Sequence, residues 1–586
     1  MANNPAPLTE QQLAEFFPLI RQPLGANVFE LGLVLGGTVS AGAYTAGVLD
    51  FLMEALDVWT RAKERGDPSA PMHDVVISTI GGASGGAING AILTRAAGWS
   101  FPRGPDAGNP FYSSWTSGVD LMALLSTKPE PGVTGLASVF NCAAIDEQAE
   151  RSIRFSGGAL GEGDTPTRRS WLADPLRLIM TVGNVTGLPY RVRMHGESQL
   201  SYDLMGHQDA IRFALTVPGG MANPPGSRPD ELALASRDTA NWDMLRAASL
   251  ATSAFPLAFR SRPLHRPLDA CGYHATLIPG ESGGDAQVAQ LIPRWDTLTA
   301  GEADPNLVHF VNVDGGTMDN QPLDMVRTAL AGMNGRNSRR GDKADRAVIL
   351  IDPFSDPLAL GPRQPPGLLA LALPFVQSLV YQARFQPEDI ALATAEEIYS
   401  RFLIAPVGPP GADGRTIGAR AIAAGGLGGF LGFIDRRFMA YDYRLGRRNA
   451  YDFLARHFIF PEHNPIFVGP HWTDRQRQEQ RVIDTNGVRH LRMIPLMPQL
   501  PVPPMPTASD WPRLPAMPAG LGAAIEARLN FAFEQIVDMV RPQVKSPLVR
   551  AALGGYARAG WYFARPTLRD KALKLISDAL KQRGLL

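Results

Sequence analysis

Two abrupt passages from strand to helix, each made through glycine, constrain this chain more than any other feature of its sequence. The run Phe29-Glu30-Leu31-Gly32-Leu33-Val34-Leu35 reads as a strand and stops at Gly36-Gly37. Helical spacing follows over residues 43–59. Residues 73–80 read as a second strand, stop at Gly81-Gly82, and pass into a small-residue helix over 87–97. Parallel strands covered on both faces need such near-continuous apolar runs, with helices between them. Short apolar runs at 176–182, 308–313 and 348–351 continue the alternation, with helical segments at 242–254 and 323–331. The predicted class is α/β with a mostly parallel central sheet.

That rhythm fades near residue 355, and the chain divides accordingly. Residues 1–28 form a polar leader with one short helix around 11–20. Residues 29–355 form the α/β domain, with Gly-, Pro- and Ser-rich insertions at 100–170 and 220–240. Residues 356–586 read as mainly helical. They contain an apolar glycine stretch at 424–433, a proline-rich strap at 497–518, and closing helices at 521–539 and 568–582. Lys+Arg and Asp+Glu number 56 each, so no net charge draws the chain to nucleic acid. Cys142 and Cys271 are too few and too far apart for a disulfide framework or a metal motif, and they fit a reducing compartment. No basic start followed by an apolar run marks a secretory signal, and no run of about 18 apolar residues marks a membrane span. The expected location is cytoplasmic. Peripheral contact at the inner face of the membrane is left open. No metal and no cofactor is expected.

The candidate chemistry lies at the second passage. Gly82-Ala83-Ser84-Gly85-Gly86 matches the Gly-x-Ser-x-Gly elbow, in which a serine on a tight strand-to-helix turn is exposed at the positive end of a helix. With 59 glycines in 586 residues, the pattern alone would arise by chance about 0.3 times. A second match, Gly280-Glu281-Ser282-Gly283-Gly284, lacks the setting: Pro279 precedes it and Asp285 follows where a small-residue helix should begin. Ser282 therefore reads as a loop residue and Ser84 as the nucleophile. An oxyanion needs backbone N–H donors, and the loop 36–42 leaves a strand and enters a helix where such groups converge. Gly36, Gly37, Thr38 and Gly85 are the candidate donors. The loop lacks the lysine of a nucleotide-phosphate loop and the spacing of a dinucleotide loop. Asp314, before Gly315-Gly316 at the end of the strand 308–313, is a candidate base, expected at the C-terminal edge of the parallel sheet. Asn320-Gln321-Pro322 then reads as a helix cap. Among ten histidines, only His207 and His309 compete for a Ser-His-Asp triad, and both read as structural.

Together these blocks resemble the patatin-like phospholipases: the glycine loop 36–42 leading to Gly47-Val48-Leu49, the elbow 82–86, the small-residue helix at 247–256, and Asp314-Gly315-Gly316 running on to Asn320 and Pro322. The resemblance covers roughly residues 29–355 and resembles the larger bacterial type with a C-terminal extension. It implies a three-layer sandwich and a Ser84–Asp314 dyad without histidine, acting on lipid acyl esters. The family's loop carries an arginine before its last glycine. Here Ala41 stands in that place, and Thr38-Val39-Ser40 interrupt the glycines. Two other functions remain open at this stage: an acyltransferase using the same dyad, and an inactive lipid-binding protein. In the extension, Arg444, Arg447 and Arg448 are expected to form ordinary ion pairs, with a phosphate headgroup as the alternative. The glycine stretch 424–433 either packs helices closely or touches lipid. The last helix reads as docked and amphipathic.

Overall fold

The computed structural model describes residues 4–153, 165–193, 201–223, 228–235, 239–281, 285–355, 363–364, 371, 378, 381–384, 398–411, 414–543 and 547–586. Ten strands of these residues make the main sheet: β1 (Val28–Leu35), β2 (Asp74–Gly82), β3 (Leu172–Arg193), β4 (Ser201–Leu215), β5 (Met221–Ala222), β6 (Glu231–Leu234), β7 (Arg262–Pro267), β8 (Leu307–Asp314), β9 (Arg346–Ile351) and β10 (Arg401–Ile404). The helices used below are α1 (Glu10–Phe16), α2 (Gly42–Glu64), α3 (Ser84–Ala96), α4 (Pro110–Thr116), α5 (Ala143–Ile153), α6 (Thr239–Thr252), α7 (Leu323–Ala331), α8 (Arg436–Arg456), α9 (Leu521–Val540) and α10 (Pro547–Gln582).

The sheet's heart is parallel, in the order β10-β9-β1-β2-β3. Every residue of β1 is buried, as its apolar run requires. Alternation along β1 divides the core into two layers. Phe29, Leu31, Leu33 and Leu35 meet residues of α2, α3 and α8, while Val34 meets Leu323, Val326 and Leu330 of α7. The result is the expected three-layer arrangement. Glu30 points into the α7 side and is held there by Arg21 Nη1 at 2.7 Å and Ser78 Oγ at 2.6 Å. The leader is thereby tied to the first strand. Its helix is shorter than expected and closes at Phe16, just before Phe17-Pro18.

β8 differs from the expectation in direction. It runs antiparallel to β3, pairing Asp314 with Val182 and Asn312 with Asn184. β4 pairs with β3 over the stretches that β2 and β8 also pair with, so β2 and β8 share the opposite edge of β3. β2 ends at Gly82 beside Met180, and β8 arrives head-on at Val182. Asp314 reaches the elbow because β3 is 22 residues long and carries both strands end to end.

Beyond residue 355 the sheet gains one more parallel strand, β10, before the helices take over. Short strands at Val407–Gly411 and Gly414–Ile417 also precede α8. Most of 365–397 lies outside the described residues. The insertion 100–170 contains α4 and α5. α8 crosses α2 backbone to backbone: a Cβ on Gly47 would lie 2.0 Å from Tyr443 O, and one on Gly446 2.1 Å from Tyr44 O. One apolar cluster joins Leu33, Val48, Phe438, Phe458 and Leu585. Arg447 is buried against Asp50 and Glu54, Arg448 pairs with Asp452 at 2.9 Å, and the more exposed Arg444 bonds to Ala440 O. α10 is docked, with Leu580 fully buried and Ile576 against the core. No helix of the described residues is long and apolar enough to cross a membrane.

Candidate active site

β2 delivers its chain into α3 through a turn that only small residues fit. A Cβ on Gly86 would stand 2.2 Å from Leu35 O, and one on Gly85 2.3 Å from Thr38 Oγ1. Ser84 is the first residue of α3 and has φ 52°, in the left-handed region. That conformation costs a non-glycine residue about 1–3 kcal/mol and persists only when the surroundings impose it. Two bonds do so. The Ser84 N–H donates to Thr252 Oγ1 at 2.9 Å, and its hydroxyl donates to Asp314 Oδ2 at 2.6 Å. Sequence reasoning missed Thr252, although a polar residue in the small-residue block 247–256 was an available signal.

Asp314 is fixed from every side. Its N–H donates to Ala254 O at 2.9 Å, and its Oδ1 accepts the Gly316 N–H at 2.7 Å. The residue is 3% exposed. Burial pushes its carboxyl up from the ordinary 3.8 to about 7, against the pull of the bonds from Ser84 and Gly316. A carboxylate so tuned can take a proton from a hydroxyl near neutral pH.

The loop 36–42 lies against the elbow. Gly36 does not present a free donor, because its N–H continues the sheet ladder to Ile351 O at 3.1 Å. Among the described residues, the N–H groups of Gly37, Thr38 and Gly85 meet no acceptor. A Cβ on Gly37 would come within 2.3 Å of Asn320 Oδ1 and 3.4 Å of Ser84 Cβ. Asn320 is thus packed beside Ser84 and does not cap α7 as expected. The cap position falls to Pro322, two residues on, without a side-chain bond. The N-termini of α2 and α3 both point their partial positive charge at this corner.

Beside Ser84 lies an apolar cavity of about 100 Å³. Ile88, Trp115, Ile145, Leu250, Phe259 and Met439 are among the side chains that line it, so the insertion helices α4 and α5 contribute walls. Trp115 is held by its Nε1–H bond to Asn89 Oδ1 at 2.9 Å, and Asn89 donates in turn to Gly42 O and Gly85 O. Among the described residues, no histidine lines the cavity. The His207 ring bonds to Asn184 O, and His309 pairs with Glu302 against the ring of His265. Ser282 lies outside the described residues.

The sequence model of the patatin-like phospholipase family matches residues 33–327. The uncharacterized protein y4iI of Sinorhizobium fredii is 33% identical over 495 residues, which cover 78% of this chain and 68% of that protein. The second similarity extends well past the family match and takes in part of the C-terminal region.

Proposed function

We infer that this chain, which belongs to the patatin-like phospholipase family, hydrolyses lipid acyl esters with Ser84 as nucleophile and Asp314 as base. The family makes it a lipid acyl hydrolase in general, and the dyad is the finer part of the reading. One observation carries it: the Ser84 hydroxyl bonds directly to a buried carboxylate at 2.6 Å, beside a cavity that no histidine of the described residues lines.

The chemistry follows from the geometry. Ser84 Oγ attacks the ester carbonyl carbon while its proton passes to Asp314 Oδ2. The carbonyl oxygen becomes an oxyanion and takes the N–H groups of Gly37, Thr38 and Gly85. Collapse expels the alcohol, which takes the proton from Asp314, and leaves the acyl chain on Ser84. Water then attacks the acyl-enzyme and gives its proton to Asp314, and collapse breaks the bond to Ser84 Oγ, which takes that proton back as the carboxylic acid leaves. The apolar cavity accommodates the acyl chain, whose burial is favourable by roughly 0.8 kcal/mol per methylene. The 2.7 Å bond from Gly316 keeps the Asp314 carboxyl oriented through both steps.

The test is release of p-nitrophenol from a medium-chain ester by wild type, Ser84→Ala and Asp314→Asn. The reading expects activity in wild type and a loss of at least 1,000-fold in both variants, an order typical for one member of a nucleophile–base unit. Equal rates in all three proteins would sink it.

A further inference from the structure

The nucleophile, the base and the oxyanion donors all lie at or before Asp314, and the family match ends at residue 327. The oxyanion loop is nevertheless held from beyond that limit. Residues 418–433 form a succession of 3-10 turns that contains the glycine stretch. The Ser40 hydroxyl donates to Gly429 O. Gly429 has φ 95° and sits so close to the loop that a Cβ there would lie 2.8 Å from Thr38 O and 3.1 Å from Val39 Cβ. A Cβ on Gly432 would lie 2.3 Å from Ser40 Oγ. The loop itself is strained: Val39 is β-branched and has φ 49°. Such a residue keeps that conformation only where its neighbours impose it.

The glycine segment is anchored in its turn. Asp442, fully buried in α8, accepts the N–H groups of Ala423 at 2.6 Å and Ala424 at 3.0 Å. Arg583 donates to the carbonyls of Ala419 and Ile422. Leu585 is buried, and its carbonyl accepts the Leu514 N–H at 2.8 Å. A continuous set of contacts therefore runs from residues 583–585, through 419–432, to the loop beside Ser84. Phe433 at the end of this segment and Met439 in the first turn of α8 also line the cavity.

We propose that the segment 418–439 is a working part of the active site, with Ser40 as the positioning residue whose bond to Gly429 aims the Gly37 and Thr38 N–H groups at the oxyanion. The proposal rests on the hydrolase reading above. It assigns a catalytic purpose to contacts made by the region outside the family match, which that match leaves without one.

The experiment measures kcat and KM for p-nitrophenyl butyrate with full-length wild type, Ser40→Ala and Gly432→Ala. Each rate is normalised to folded protein by its cooperative thermal transition, and Ser84 is probed with a fluorophosphonate. A short acyl chain keeps the cavity's contribution small. The expected result is a fall in kcat of about tenfold or more in both variants, as misaimed donors cost, with KM within twofold of wild type. Turnover within twofold of wild type per folded molecule would overturn the proposal alone. So would a kcat that falls only in step with the folded fraction. A wild type that neither hydrolyses the ester nor labels at Ser84 would overturn the hydrolase reading, and this proposal with it.

Discussion

Asp314→Asn should abolish turnover and at the same time stabilise the fold, by an amount that grows with pH. The wild-type carboxyl is buried and its pKa is raised from 3.8 to about 7. The sign follows from linkage. Between those two values the folded state holds a proton that the unfolded state has released, so stability falls as pH rises through the interval. The penalty is absent below 3.8 and fully present above 7. At 1.36 kcal/mol per pKa unit, the raised pKa of Asp314 costs about 2 kcal/mol at pH 5, where the folded group is still protonated, and about 4 kcal/mol at pH 8, where it is ionised. Asparagine carries no charge yet keeps both bonds, since its carbonyl can accept the Gly316 N–H and its amide can donate to Ser84 Oγ. Asp442 has its pKa pushed up by burial as well, but it is present in both proteins and cancels in the difference. Urea unfolding of wild type and variant at pH 5 and pH 8 gives the four free energies needed. The variant's advantage should be larger at pH 8 by about 2–3 kcal/mol. An advantage that does not change with pH, or a variant less stable than wild type at pH 8, would refute the reasoning.

Two further outcomes are expected. The wild-type kcat/KM should rise through an acid limb centred near pH 7 and then level off, because the base must be ionised to accept the Ser84 proton; a limb centred near pH 4 in a pH–rate profile would show an ordinary exposed carboxylate instead. Met439→Ala should enlarge the cavity and move the preferred p-nitrophenyl ester toward longer acyl chains; an unchanged chain-length profile would place the acyl group elsewhere.

Much of the parallel core was readable because β1, β2 and β9 are near-continuous apolar runs, the first two ending at glycine. The elbow was readable for the same reason: Gly85 and Gly86 have no room for a side chain, so their small size is required and visible. The direction of β8 was not. It depends on the length of β3, whose apolar run is broken by Asp174-Pro175, Gly183-Asn184 and Gly187, so that only 176–182 reads as strand. Gly36 looked like an oxyanion donor because its N–H leaves a strand, but Ile351 O on the neighbouring strand takes it, and register is not written locally. Asn320 looked like a cap because capping rules weigh neighbours in sequence, whereas its position is set by contact with Gly37. Arg447 makes the ion pairs expected of it, with Asp50 and Glu54, but that they are buried was not read. Its burial had one signal, Asp50 among the apolar positions of α2, where Tyr443 Oη also donates to it at 2.7 Å. The contact between Ser40 and Gly429 joins residues 389 positions apart. The glycine stretch announced a close approach without naming the surface approached.

The central claim is that Ser84 is activated by Asp314 alone. Fluorophosphonate labelling of wild type and Asp314→Asn, mapped to the modified residue by peptide mass spectrometry, tests it most directly. One adduct per wild-type chain is expected, on Ser84, with labelling of Asp314→Asn slowed by about 1,000-fold or more. Labelling of Ser84 at the wild-type rate in Asp314→Asn, or an adduct on another residue, would contradict it.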